Sequence, residues 1–382
     1  MKKNIILILV LVQSTVFSQV IVKPKHLNYP MDSITKQKFN SDLESLFLEI
    51  QKNQISDVFI SPKNSELTKS QLQELADYES KKDISVFQSQ DKQLINIYPI
   101  SNSKYLFSLA YIDRHQDTNP ILLYKINLIA TETNERFTFS IPIDYLTRYW
   151  KTKTIGNITY HYRNNLRNKR AKIFNRKNSL IAKKFNLEPE KLDFYMCENF
   201  QEISKLLGFD YSKYSNGKYT TGYGVDNKTV FSIMNNEDFS HDMVHYYSGK
   251  INKRINRNWI AEEGVAYLWG NAYYTDKKGE MITHNKLVGE LKKYLLKHPE
   301  KDLLNIFIKN PNIFNDISTQ VSVRSTISGV IVNEIQKEIG LEGVYALITS
   351  GRKKPLMNYL RVTDNLIGIN KDNFNSKVRN LI

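Results

Sequence analysis

The feature that most limits what this chain can fold into is a change of periodicity part-way along it. Between Leu94 and Ile141 the apolar residues run in short β-type stretches: Leu94-Ile95-Asn96-Ile97-Tyr98, Tyr105 to Tyr111, Ile121 to Leu128 and Arg136 to Ile141. Polar turns separate them at residues 101–103, 117–120 and 131–135. From about Phe239 to Ile382 the apolar residues recur instead at helical spacing, as in Leu287 to Lys297, Ser325 to Ile339 and Leu341 to Thr349. Gly340 lies between the last two as a stop. A strand meander followed by a mostly helical half predicts an α+β chain.

Helical patterns at 34–53 and 69–80 precede the meander, with Thr68 as the expected N-cap of the second and Gln71 completing a capping box. A boundary is expected near 150–157, dividing an α+β accessory domain, 19–152, from a second domain, 153–382. In the second domain, strands are predicted at Ile158 to Tyr162, Leu192 to Met196 and Thr229 to Met234. Helices are predicted at 164–185 and Phe200 to Leu207, and a Gly/Tyr-rich turn covers 216–224.

Lys2 and Lys3 precede an unbroken apolar run, Ile5 to Val12, which is too short to span a bilayer but long enough for a signal peptide. Residues 1–18 are therefore expected to be a signal peptide, with cleavage before Gln19 and a periplasmic or secreted product. No later run is long and apolar enough for a transmembrane segment. Cys197 is the only cysteine, so an intrachain disulfide is excluded, and its apolar surroundings predict a buried core thiol. The formal net charge is +15, densest from Arg163 to Lys184, where Leu166, Ile173, Leu180 and Ile181 mark a helix with a solvated basic face. No nucleic-acid-binding motif accompanies the charge, so no nucleic-acid partner is expected.

The residues that carry chemistry are in the second domain. His241-Asp242-Met243-Val244-His245 places two imidazoles one helical turn apart on one face, which suits a single tetrahedral metal ion. A third ligand must come from elsewhere. The segment Trp259-Ile260-Ala261-Glu262-Glu263-Gly264-Val265-Ala266-Tyr267-Leu268 offers two, Glu262 and Glu263.

This pair of segments resembles the gluzincin zinc metallopeptidases, in particular their peptidase-MA-like branch, with HDxxH in place of HExxH. The resemblance implies Zn2+ held by His241, His245 and Glu263, and Asp242 at the general-base position. Glu263-Gly264-Val265-Ala266 matches the family's E-G-x-A, whereas Glu262 has the family's distance from Trp259 and stays as the alternative ligand. It implies a fold of a small mixed sheet with an edge strand, here 229–234, followed by a mostly helical part, and a peptide or protein substrate bound along that strand. Asp242 is one methylene shorter than the family's glutamate, a retreat of roughly 1.5 Å. No Tyr or His lies near Val321 to Ser328, where the family stabilises the oxyanion, and Arg324 is the only cation there. Tyr246, Tyr247, Tyr267, Tyr273 and Tyr274 are nearer the motif. The alternative is an inactive pseudo-peptidase that binds a peptide or protein partner. His115, His161, His284 and His298 have no partner at ligand spacing and are expected to be exposed or structural.

Overall fold

The computed structural model describes residues 21–80, 90–113, 119–213, 225–226, 228–272 and 280–382. The segment 1–18, His115, the turn at 216–224, Tyr273 and Tyr274 lie outside the described residues. The chain is α+β and divides into two compact units: Met1–Leu146 with Ser204–Tyr219, and Thr147–Ile203 with Thr220–Ile382.

The first unit opens with α1 (Ser33–Gln51), capped by the Asp32 carboxylate, which accepts from the N–H of Ile34 at 2.8 Å and of Thr35 at 2.9 Å. Its buried residues, Phe39, Leu43, Leu46, Phe47 and Ile50, recur at helical spacing on one face. The next helix, α2 (Ser65–Ser80), begins earlier than the sequence pattern predicts. Thr68 is therefore not its cap: it lies inside the helix, fully buried, and its hydroxyl accepts from the Ile141 N–H at 3.3 Å. A Thr side chain turned toward a neighbouring element satisfies a tertiary donor instead of its own helix end. The meander follows as β1 (Gln90–Ser101), β2 (Lys104–Asp113), β3 (Ile121–Glu132) and β4 (Phe137–Ser140), each antiparallel to the next. Phe39 sits edge-on to Phe107 and Phe137, with centroids at 5.5 and 5.4 Å, tying α1 to the sheet. One helical turn, α3 (Ile143–Leu146), ends this stretch.

The second unit opens at Thr147, and residues 151–162 form its first hairpin, β5 (Lys151–Ile155) and β6 (Ile158–Tyr162), turned by Gly156 at φ +60°. After it come α4 (Asn168–Lys184), β7 (Leu192–Met196) and α5 (Phe200–Leu206). Phe174, Ile181 and Ala182 of α4 are buried and its lysines mostly exposed, as the solvated-face pattern predicts, although Leu180 is also exposed. The chain then supplies β8 (Phe209–Ser212), antiparallel to β3, as the fifth strand of the first sheet. The second sheet is completed by β9 (Val225–Asp226) and β10 (Thr229–Ser232), in the order β5-β6-β7-β10-β9. The expected edge strand is thus corrected: β10 is buried throughout, parallel to β7 on one side and covered by β9 at Thr229 and Val230 on the other. A short run buried on both faces reads as an interior strand.

Among the described residues eight helices follow: α6 (Ser240–Ile251), α7 (Trp259–Trp269), α8 (His284–Lys297), α9 (Leu303–Lys309), α10 (Val323–Glu338), α11 (Leu341–Ile348), α12 (Pro355–Ile367) and α13 (Phe374–Leu381). Gly340, at φ +90°, separates α10 from α11 where the sequence places a stop. The second unit's core runs from β6, α4 and β7 through Met243, Val244, Val265 and Ala266 to Ile331, Val344 and Phe374. Cys197 is buried, and burial pushes its thiol pKa up. Among the described residues no helix is long and apolar enough to cross a membrane.

Candidate metal centre

Two helix starts position the chemistry-bearing residues. Ahead of α6, Met234 and Asn235 both take left-handed backbone (φ 56° and 49°), and Asp238 is brought in buried. Its Oδ2 accepts from Ser240 Oγ at 3.1 Å and from Asn271 Nδ2 at 2.6 Å. α7 starts at the buried Asn258, whose Oδ1 accepts from the N–H of Ile260 at 3.1 Å and of Ala261 at 3.4 Å. Asn258 Nδ2 donates to Ser350 Oγ and to the Pro355 carbonyl, both at 2.8 Å, fixing that start to the helices beyond. Two glycines bring the backbones close. A Cβ on Gly264 would lie 2.6 Å from Ser328 Cβ and 2.8 Å from its carbonyl carbon, and one on Gly270 would lie 2.7 Å from Ser240 O and 2.8 Å from His241 N. Only glycine fits where α7 meets α10 and the start of α6.

This packing brings together His241, His245 and Glu263, whose candidate ligand atoms all lie within 4.8 Å of one another. The two Nε2 atoms are 3.2 Å apart. Glu263 Oε1 is 3.3 Å from His245 Nε2, and Oε2 is 3.6 Å from His241 Nε2. Two donors about 2.0–2.1 Å from a tetrahedral zinc ion stand about 3.3–3.4 Å apart, so this spacing and the N, N, O donor set fit that ion. Both rings are also oriented from behind. His241 Nδ1 faces the Asn271 carbonyl oxygen at 3.1 Å. A carbonyl only accepts, so Nδ1 donates and Nε2 keeps its lone pair. His245 Nδ1 lies 3.0 Å from Glu262 Oε1. Of the two adjacent glutamates, Glu263 faces the paired Nε2 atoms, while Glu262 sits behind His245.

The electrostatics follow from burial and these contacts. Burial and the neighbouring His245 lower the His241 pKa to about 4. Burial also pulls His245 down, but its hydrogen bonds to Glu262 and Glu263 and their charges outweigh that and raise it to about 10. Against the opposing effect of burial, bonds to His245 hold Glu262 and Glu263 below the ordinary glutamate value, with Arg257 adding to the effect on Glu262. Asp242 is pushed up to about 7, chiefly by burial, with Glu263 and Asp238 adding to the rise and His245 opposing it. Its Oδ2 is buried with no hydrogen-bond partner, which leaves one oxygen able to take or give a proton.

The other residues singled out from the sequence are engaged elsewhere. Arg324 donates from Nε to the Phe307 carbonyl at 2.8 Å and also to the Ile308 carbonyl, and its guanidinium lies over the Trp259 ring. Tyr267 packs edge-on against His241 at 5.7 Å, and its hydroxyl oxygen accepts from the Ser322 N–H at 2.9 Å. Tyr247 donates to Asn178 Oδ1 at 2.7 Å and accepts from the Glu190 N–H at 2.8 Å, inside the core. The Tyr246 ring packs against Tyr247, with Lys250 over it. His161 pairs with Asp193 at 2.8 Å, and His284 is buried with Nε2 2.9 Å from the Thr326 carbonyl oxygen. His298 packs on Tyr294. The sequence reading missed Asp238, Arg257 and Asn271. The one available signal was the Glu262-Glu263 tandem: neighbours on a helix point about 100° apart, so one of them needs a second partner.

Compared with protein-family models, curated proteins and solved structures, the chain matches none of them.

Proposed function

We propose that the second unit holds a zinc ion through His241, His245 and Glu263, and that the chain is a gluzincin-like metallopeptidase acting on peptides outside the cytoplasm. The observation that carries this reading is the convergence of both rings on Glu263. Each Nδ1 faces an acceptor, and the two Nε2 atoms and one carboxylate face one another at donor spacing. Zinc held there would supply Lewis-acid polarisation of a peptide carbonyl. Asp242 supplies proton transfer: burial keeps its carboxyl near neutrality, at about 7, and Oδ2 has no competing partner. The three donors sit on two packed helices, which fixes their separation.

The test is hydrolysis of a broad peptide library, its loss on chelation and its return with zinc. Asp242→Asn abolishes the activity, whereas Asp242→Glu preserves or raises it. A second reading, a metal-holding domain that binds peptides without cleaving them, is favoured by the shorter Asp242 and by the capture of Arg324 at the end of α9. Zinc bound by both wild type and Asp242→Glu, with no chelator-sensitive cleavage by either, would establish that second reading.

A further inference from the structure

Arg257 lies just ahead of α7 and touches both α6 and α7 without being a candidate ligand. Its Nε donates to Glu262 Oε2 at 2.9 Å, and a second guanidinium nitrogen donates to Glu262 Oε1. That second nitrogen also reaches the His245 carbonyl oxygen at 3.4 Å. Both carboxylate oxygens are thus held in a planar fork, a geometry that lysine cannot reproduce. Gly249 of α6 leaves the room: a Cβ there would lie 3.2 Å from an Arg257 nitrogen. The Glu262 side chain is only 4 % exposed, so its charge has little water to share it.

Resting on the zinc reading above, we propose that Arg257 is a positioning residue for the metal site. It acts through Glu262 on His245. With its carboxylate held by Arg257, Glu262 accepts from Nδ1 of His245 in one fixed orientation, so Nε2 points at Glu263 and His241. Arg257 also balances the second of two adjacent negative charges. Without it the site would hold Glu262 and Glu263 with one cationic partner fewer, and Glu262 would compete with Glu263 for the ring. The two histidines are therefore supported in different ways. His241 donates to the neutral main-chain carbonyl of Asn271, whose side chain Asp238 holds, and His245 donates to a carboxylate that depends on its arginine. Outer partners of this kind change metal affinity by about 10–100-fold when removed.

The test is zinc affinity of the full chain, by competition with a chromophoric chelator, together with the visible spectrum of the Co2+-loaded protein as a report on ligand geometry. Arg257→Gln should weaken zinc about 10–100-fold and alter the Co2+ spectrum. Adding Glu262→Gln should restore much of that loss. The neutral amide oxygen still accepts from Nδ1 and leaves no buried charge to balance, whereas a merely structural arginine would give no such rescue. Equal affinity of wild type and Arg257→Gln overturns the proposal, as does a double variant whose loss is the sum of the two single ones. If Arg257→Gln fails to fold by circular dichroism, Arg257→Lys carries the test: it keeps the charge without the fork, and undiminished affinity with an unchanged spectrum overturns the proposal. A wild-type chain that binds no zinc sinks the metal-site reading itself, an outcome distinct from the others.

Discussion

In the first unit, Lys92 lies 2.7 Å from Glu79, and Tyr111 donates its hydroxyl to the same carboxylate at 2.8 Å; the lysine and glutamate side chains are only 6 % and 10 % exposed. Each charge there meets its opposite, and the tyrosine proton has its acceptor. Around α6 and α7 of the second unit the buried charges are arranged differently. Arg257 closes on Glu262, but Asp238 and Asp242 each keep one buried oxygen without a hydrogen-bond partner, and two imidazole nitrogens face each other at 3.2 Å. An unpaired buried polar atom is costly, so a fold that keeps several in one place forgoes stability there. The first network is closed and structural. The second is open in that it leaves two buried carboxylate oxygens without a hydrogen-bond partner.

Breaking the closed network should have the largest effect on stability. Lys92→Ala leaves Glu79 buried without its cation, at a cost of about 3–5 kcal/mol. Denaturant unfolding measures the loss, and zinc content should not change. The next effect belongs to the helix contact that sets the open site. Gly264→Val drives a side chain into Ser328 and should cost about 1–3 kcal/mol. It should also weaken zinc, because α7 must move; an unchanged affinity would separate the packing from the site.

A third effect distinguishes an open site by its protons. In the metal-free chain His245 is held protonated up to about 10, while His241 is neutral above about 4. Zinc must therefore displace about one proton, and its apparent affinity should rise about tenfold, or about 1.4 kcal/mol, per pH unit between about pH 6 and 9. Calorimetry in buffers of different ionisation enthalpy reads the proton directly, and a flat profile counts against His245 as a ligand.

The last effect has the opposite sign. The folded pKa of Asp242, about 7, lies above its ordinary value of 3.8, so this group takes stability away as pH rises through that window. Asp242→Asn removes the penalty. It should raise metal-free stability at about pH 8, where Lys92→Ala lowers it. A destabilised Asp242→Asn chain would mean that Oδ2 has a structural partner after all.

What could be read from the sequence was local. Two histidines four apart and an amphipathic segment with adjacent glutamates specify their helices by periodicity alone, and the meander's alternation specifies its strands. The rest depends on how segments meet. Thr68 has the sequence context of a cap, but its hydroxyl bonds to Ile141, 73 residues away. The strand Lys151–Ile155 reads as a boundary because it is mostly exposed and polar. Strand β10 becomes interior only because β9 pairs with it. The partners behind the candidate ligands, Asn271 and Arg257, lie outside the regular helices, so no periodic pattern announces them. The resemblance already favours Glu263 through the glycine after it, but only the folded chain places Glu262 behind His245 and against Arg257.

The most direct test of the account is metal content. After incubation with zinc and removal of excess, elemental analysis of the wild-type chain should give about one zinc per chain, and the His241→Ala, His245→Ala double variant close to none. A wild-type chain without zinc, or a double variant that retains as much as wild type, would contradict it.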